Sequence, residues 1–319
     1  YANNMRHARW HRYDPASRYA GITRLSGAQQ KLADARLPVA WLKGYVTGPY
    51  YHFDVGQPAA AQRAWLQEIQ AQILTTYPSN LKNLVDHCQR AGGGMPALRA
   101  VTTMSEALAP ELRADCEAAL GIPIHDIYSA QELGIVALQC PDAPGYHAMA
   151  ESVLVEILND DGTPCAPGEI GRVVVTALQN FATPLIRYEV GDYAEAGAPC
   201  PCGRGLPVIR RIMGRVRNLL VLPDGKKIWP AFGSRGLTDI APIRQHQIIQ
   251  KSATGLEARL VTERPLTADE EKRLARHITA RLPVAMSVAF SYHGEIPRSA
   301  GGKFEDFISE IDGAGSRAG

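Results

Sequence analysis

Three neighbouring stretches constrain this chain more than anything else in it: ALRAVTT (97–103), PELRADCEAAL (110–120) and IPIHDIYS (122–129). The outer two are short apolar runs and read as buried strands. The middle one carries Pro110 in its first turn and Gly121 just past its end, the asymmetry of a helix. A strand that returns to its sheet through a helix returns parallel, so the sequence predicts a parallel sheet with crossover helices. Upstream, Trp65, Leu66, Ile69, Ile73 and Leu74 recur at helical spacing. They predict a helix over 62–74, stopped by Pro78, with Ser79 capping the next helix, NLKNLVDHCQR.

The texture changes after Glu132. SVLVEIL (152–158), GRVVVTAL (171–178) and PLIRYEV (184–190) read as strands between turn signals, a compact β subdomain. It changes again near Gly214. A hairpin about Asp224-Gly225, two short strands, a helix opened by a Thr267/Glu270 capping box and a last strand, MSVAFSYH, follow. The fold class expected is an α/β large domain, a parallel sheet plus β subdomain, followed by a small mobile α+β C-terminal domain. The division expected is 1–214 and 215–319.

Composition narrows the functional classes. The chain has 319 residues, a 45% hydrophobic fraction and a net charge of +2, with no block of Lys or Arg. A nucleic-acid or membrane-surface partner would need a concentrated basic face. No apolar run reaches transmembrane length and no signal pattern opens the chain, so a cytoplasmic protein is expected. The first residue is Tyr1 rather than Met, which reads as a piece of a longer protein. Cys88 and Cys116 lie in helical patterns and read as small buried hydrophobes.

Four stretches have a conformational reason to carry chemistry. In IYSAQELG (127–134) a strand ends in small residues and then an acid. Tyr128 could stack on a flat ring, the small Ser129 lets a ligand near the backbone, and Glu132 could hold a phosphate-bound metal, or be a surface glutamate. In RYEVGD (187–192), Arg187 precedes a β run ending in Gly-Asp; Asp192 could accept from a sugar diol, or belong to a simple hairpin turn. Arg215 stands where the two expected domains meet and could reach a phosphate or form an ion pair. Lys303, in PRSAGGKFEDF, is a point charge behind two glycines. Such a lysine suits an anionic group whose charge develops in a transition state.

YSAQELG, TPLIRYEVGD, GRVRNLLVLPDGKKIWP and PRSAGGKFEDF, in this order, resemble the motif series of the AMP-forming adenylating enzymes. CPCGRGLP (200–207) and TYPSNLKNL (76–84) are similar to the phenylacetate–CoA ligase branch. The resemblance runs from about Tyr77 to Phe307. It implies that a carboxylate attacks the α-phosphorus of ATP to give an acyl-AMP, and that coenzyme A then displaces AMP after the small domain rotates. It implies roles residue by residue: Tyr128 on adenine, Glu132 on Mg²⁺, Asp192 on the ribose hydroxyls, Arg215 on the nucleotide, and Lys303 on the carboxylate and α-phosphate. Ser129 and Arg187 fall within the same nucleotide motifs. A small carboxylic acid, aromatic or arylacetic by default, is the implied substrate, with Met104, Ser105, Glu106 and Ala130 near it. A homodimer is left open.

The chain departs from the pattern in three places. No Gly/Ser/Thr-rich phosphate loop precedes Tyr77, and YVTGPYY (45–51) does not qualify. The chain therefore reads as lacking an N-terminal segment and is expected to adenylate poorly alone. Arg217 stands where the family usually has Asp or Lys at the hinge, and SAQE replaces the more usual Gly-x-Thr/Ser-Glu. Transfer to a carrier protein or amine, or a degenerate non-catalytic nucleotide-binding protein, are the alternative readings.

Cys140, His147, Cys200 and Cys202 form a complete tetrahedral zinc set if the fold gathers them, or are free thiols and a loop histidine if it does not. A set with no open position would be structural Zn²⁺. His87 and His125 are expected in packing or solvent roles.

Overall fold

A computed structural model describes residues 2–34, 39–42, 44–230, 232, 236–299 and 301–311. The chain divides into two compact units. The first runs to Met213 and takes in residues 301–303; the second begins at Gly214 and resumes at Phe304.

The first unit holds α1 (Ala2–Trp10), β1 (Tyr19–Thr23), α2 (Gly27–Asp34), β2 (Val39–Ala40), β3 (Pro49–Asp54), α3 (Ala59–Glu68), β4 (Ile73–Thr76), α4 (Pro78–Ala91), β5 (Ala100–Met104), α5 (Pro110–Leu120) and β6 (Ile124–Ala130). β7 (Gly134–Gln139), β8 (Tyr146–Ala148), β9 (Val153–Leu158), β10 (Ile170–Ala177), β11 (Tyr188–Ala196) and β12 (Val208–Arg215) follow. Among the described residues these strands make one sheet, ordered β2-β3-β1-β4-β5-β6-β7-β8-β12-β11-β10-β9. β3, β1, β4, β5 and β6 are parallel, with Tyr19 opposite both Tyr50 and Ile73. β6 then turns back on itself into β7, and the pairs onward to β8, and from β11 through β10 to β9, are antiparallel. The β subdomain therefore continues the parallel sheet through the β6–β7 hairpin.

The chain leaves β1 for β3 on one side, returns to β4 on the other, and proceeds outward through β5 and β6. Its direction of travel reverses at β1. The C-terminal ends of β1 and β4 thus border the switch point, where open α/β sheets form their ligand crevice. The parallel half is closed by a core of Ile22, Leu66, Leu74, Leu81, Leu84, Val101 and Ile124. The antiparallel half has its own core, built on Val136, Leu138, Met149, Val173, Val175 and Ile209.

The second unit holds a 3-10 turn (Val216–Asn218), β13 (Leu220–Val221), β14 (Lys227–Ile228), α6 (Leu237–Ile240), β15 (Ile243–Ser252), β16 (Gly255–Thr262), α7 (Ala268–Thr279), β17 (Ser287–Tyr292) and β18 (Phe307–Ser309). β13 and β14 form the hairpin expected about Asp224-Gly225. The other four strands are ordered β17-β16-β15-β18. α7 opens with the expected Thr267/Glu270 capping box and buries Leu274 and Ile278.

Three expectations need correction. The helix predicted over 62–74 ends at Glu68, and Ile73 and Leu74 belong to the buried strand β4. The stop is hidden because Gln70, not Gly, takes the left-handed conformation (φ 52), with Ala71 N donating to Leu66 O. The strand expected at 184 begins at Tyr188, after Arg187 at φ 47. MSVAFSYH is not the last strand, since the short β18 pairs parallel with β15.

The end of α1 packs a polar cluster against the sheet. His7 Nε2 lies 3.2 Å from Thr102 Oγ1, Tyr13 OH lies 2.7 Å from His125 Nδ1, and the His11 and His125 rings stack at 3.6 Å. Burial is the main cause that holds all three imidazoles below their ordinary range, His11 at about 4 and His125 at about 3. His125 is thus a packing residue, as expected. Because the folded values lie below the unfolded value of about 6.5, the unfolded chain binds more protons between them. Stability present above that pH is lost as pH falls toward the folded values. Thermal melts of the protein should show Tm falling between pH 7 and pH 4.5, with a shallower slope in His125→Asn; equal slopes would refute the cluster as the cause.

Candidate functional site

The C-terminal ends of the parallel strands carry several of the residues singled out in the sequence. Tyr128, Ser129 and Ala130 end β6, and Met104 ends β5 beside them. Tyr128 is 7% exposed, its ring inside the core of the antiparallel half. Its hydroxyl donates to Asp192 Oδ2 at 2.9 Å. Two motifs 64 residues apart thus meet in one hydrogen bond, although three strands lie between β6 and β11 in the sheet order. Glu132 is exposed in the β6–β7 turn, and Tyr188 OH donates to its Oε1 at 3.0 Å. One carboxylate oxygen is fixed this way while the other can face a ligand.

Arg187 is exposed, and its Nη2 reaches Glu156 Oε1 at 3.3 Å. Its own N–H donates to Thr176 Oγ1 at 3.0 Å. These two contacts sustain a left-handed backbone that an arginine adopts only at a cost. Sequence reasoning passed over Tyr188, although it stands beside Arg187 in RYEVGD. The hint was an aromatic residue with a polar tip at the entry to a strand.

At the switch point, Tyr77 OH accepts from Arg24 N at 3.1 Å and donates to Gly301 O at 3.4 Å. Gly302 is buried at φ 78, and a Cβ on it would lie 2.9 Å from Arg24 Cβ and 3.3 Å from the Tyr77 ring. The second glycine before Lys303 therefore serves both a backbone conformation and a close approach. Lys303 is half-buried. Residues 301–303 belong to the first unit, whereas Phe304 and Phe307 belong to the second. Phe307 packs there against Phe232 with ring centroids 4.9 Å apart, and Arg298 lies over Phe304.

Arg215 and Arg217 lie in the second unit, the first capping the 3-10 turn and the second within it. Both are exposed. Arg215 N donates to Asn218 Oδ1, and Asn218 in turn donates to Phe307 O at 2.7 Å. Arg217 forms a two-point pair with Glu305, both contacts at 2.9 Å.

Cys140, His147, Cys200 and Cys202 come together. Their donor atoms all lie within 4.8 Å of one another, as a metal-holding group would require. Cys140 and Cys200 sulfurs are 3.9 Å apart, and Cys202 Sγ is 3.2 Å from His147 Nε2. β8 carries His147 and pairs with β12 just past the C-x-C loop, which brings the two sequence segments together. His147 is fully buried; its Nδ1 has no hydrogen-bond partner, and the Trp10 edge contact at 5.6 Å orients the ring instead. Burial raises the Cys140 thiol. The Arg204 backbone N–H, aided by its side chain, pulls Cys202 down to about 6.

Ser105 and Glu106 reveal a tie the sequence did not announce. Ser105 is at φ 70, and Glu106 accepts from Ser79 N and Ser79 Oγ, both at 2.9 Å. The expected cap, Ser79, lies one residue inside α4, and the N-cap residue Tyr77 makes no side-chain cap. Glu106, arriving from the end of β5, takes that role across the sheet. Glu106→Ala should cost about 1–2 kcal/mol of stability, read as a lower urea midpoint with unchanged m. A midpoint that stays put would remove the cap.

Residues 220–310 match the family described as the CapK C-terminal domain. The phenylacetate-coenzyme A ligase of Thermus thermophilus is 25% identical over 271 residues, covering 75% of this chain and 60% of the relative. That of Escherichia coli (strain K12) is 26% identical over 264 residues, covering 77% and 60%. The chain thus spans 60% of the length of these relatives. Among solved structures, a 2-hydroxyisobutyryl-CoA ligase in the postadenylation state matches with a TM-score of 0.76 at 19% identity, over 97% of this chain and 69% of that one. An anthranilate CoA ligase in complex with anthranoyl-AMP matches with a TM-score of 0.67 at 16% identity, over 91% and 58%. By sequence the chain is similar to the curated phenylacetate-coenzyme A ligases, and it shares the fold of the solved 2-hydroxyisobutyryl-CoA and anthranilate CoA ligases.

Proposed function

We propose that the protein containing this chain uses ATP to activate a small carboxylic acid, aromatic or arylacetic, as an acyl-AMP and passes the acyl group to coenzyme A. The observation that carries the reading is the Tyr128–Asp192 hydrogen bond. It sets the two central nucleotide motifs side by side, in a chain whose relatives are named phenylacetate-coenzyme A ligase. In this reading the first unit is the C-terminal part of the large adenylating domain and the second is its lid.

Asp192 accepts from the ribose hydroxyls, while Tyr128, the residue implied on adenine, donates to its Oδ2. Ser129 and Ala130 leave room for the nucleotide beside the strand end. Glu132 is the carboxylate for Mg²⁺, held by Tyr188 so that its second oxygen is directed outward; the metal, when bound, offsets charge on the phosphates. Arg187 and Arg215 add positive charge to the nucleotide site, and Lys303 stabilises charge as the carboxylate oxygen attacks the α-phosphorus. The residues do little covalent chemistry. Their work is positioning and charge neutralisation. No described helix is long and apolar enough to cross a membrane, and a cytoplasmic setting suits the proposed substrates.

The cysteine cluster fits a structural zinc ion. With Zn–S near 2.3 Å, a tetrahedral edge is about 3.8 Å, close to the 3.9 Å between Cys140 and Cys200. Four protein donors leave no open position, so the ion would tie the loop after β7 to the loop before β12.

Two measurements test these roles. In a form of the protein active in ATP–pyrophosphate exchange, Lys303→Ala should lower adenylation by at least about 100-fold while sparing the use of preformed acyl-AMP. Equal loss of both steps would make Lys303 structural, and acyl hydroxamate without acyl-CoA would point to another acceptor. Elemental analysis of protein purified without chelator should give close to one zinc per chain. Absence of zinc there would overturn the metal assignment without touching the ligase reading.

A further inference from the structure

On the first unit, near the other ends of the parallel strands, lies a polar cleft of about 490 Å³ that the proposed ligase chemistry does not use. Arg9, Trp10, His11, Arg12, His125 and Arg204 line it, with Pro141 and Asp142 at its side. His125 is the second residue of β6, three before Tyr128. The volume is within the range of small-molecule sites.

The backbone at Arg12 is the first sign of a role. α1 ends with Arg12 N donating to Arg9 O and Tyr13 N donating to Ala8 O, and Arg12 itself sits at φ 54. This is the position where helices normally place glycine. Two other side chains in the left-handed region have an evident return: Gln70 Nε2 donates to Gln67 O at 2.7 Å, and Arg187 pairs with Glu156. Arg12 has no hydrogen bond or ion pair for its guanidinium among the described residues. The same holds for Arg9.

The second sign is charge. Arg204 is held in place by Asp142 at 2.6 Å and by Trp10, whose ring centroid is 4.9 Å from its guanidinium carbon. Arg204 faces both Asp142 and Cys202, so the positive charge offered to the cleft is that of Arg9 and Arg12. His11 and His125 are neutral at ordinary pH because they are buried. A ligand that satisfies this pair of arginines carries anionic oxygens, and a phosphate group offers several.

We propose that this cleft binds the phosphate of a small phosphorylated compound or inorganic pyrophosphate, between Arg9 and Arg12. The proposal does not depend on the ligase reading. The decisive variant is Arg12→Gly, which relaxes the backbone and removes the charge together. Its Tm should rise by about 2 °C, showing an intact fold. Isothermal titration calorimetry at fixed ionic strength, with pyrophosphate and separately with glycerol 3-phosphate, should give one saturable site below about 1 mM for at least one probe. Arg12→Gly should weaken that site at least about tenfold, and Arg9→Ala should do the same. The probe that responds identifies the source, inorganic or ester. Binding unchanged in both variants, or no binding of either probe up to about 10 mM, would overturn the proposal.

Discussion

Everything in the first unit follows from a reversal in a parallel sheet. A parallel pair needs a crossover, so each strand's C-terminal end opens on the same edge. When the chain steps from β1 to β3 and then back across to β4, two neighbouring crossovers part and leave a gap at that edge. Arg24 and Tyr77 are fixed at this gap by chain direction before any side-chain chemistry is considered. The β6–β7 hairpin then extends the sheet without interruption. Across three intervening strands, Asp192 of β11 accepts from Tyr128 of β6, so the antiparallel half bends back toward the last parallel strand.

The site residues are supported from outside the motifs that name them. Tyr188 holds Glu132, Glu156 holds Arg187, and Tyr77 reaches the Gly301 carbonyl. These supports are mostly hydroxyls and carboxylates at the rims of strands, where one end of the residue is packed and the other can bond. Trp10 does the same for the cysteine cluster: its ring meets His147 on one contact and Arg204 on another.

What could be read from the sequence was whatever a local pattern encodes. Pro110 and Gly121 marked α5 at both ends, Thr267 and Glu270 marked the start of α7, and Asp224-Gly225 marked a hairpin. The cysteine and histidine positions were legible as a set because zinc-type donors are few. Helix ends built without glycine were not legible. Gln70 and Arg12 occupy left-handed positions, so the periodicity ran on through a stop at the first. The opening strands were missed as well, since β1 and β3 mix Tyr, His and Gly into short runs without a sustained apolar pattern. Long-range ties such as Ser79–Glu106 have no sequence signature at all, because only the parallel register brings the end of β5 to the start of α4.

That last tie closes a corner of the crevice electrically. The start of a helix next to a parallel strand is where such sheets commonly receive phosphate, through bare amide hydrogens and the positive end of the dipole. In α4 the first position is Pro78, which has no amide hydrogen, and the next amide is already given to Glu106. The carboxylate sits where an anion would bind. That helix start is thus already occupied by a carboxylate of the chain itself. Glu106 therefore acts as an internal counter-anion, one that fixes the polarity of the crevice before any ligand arrives.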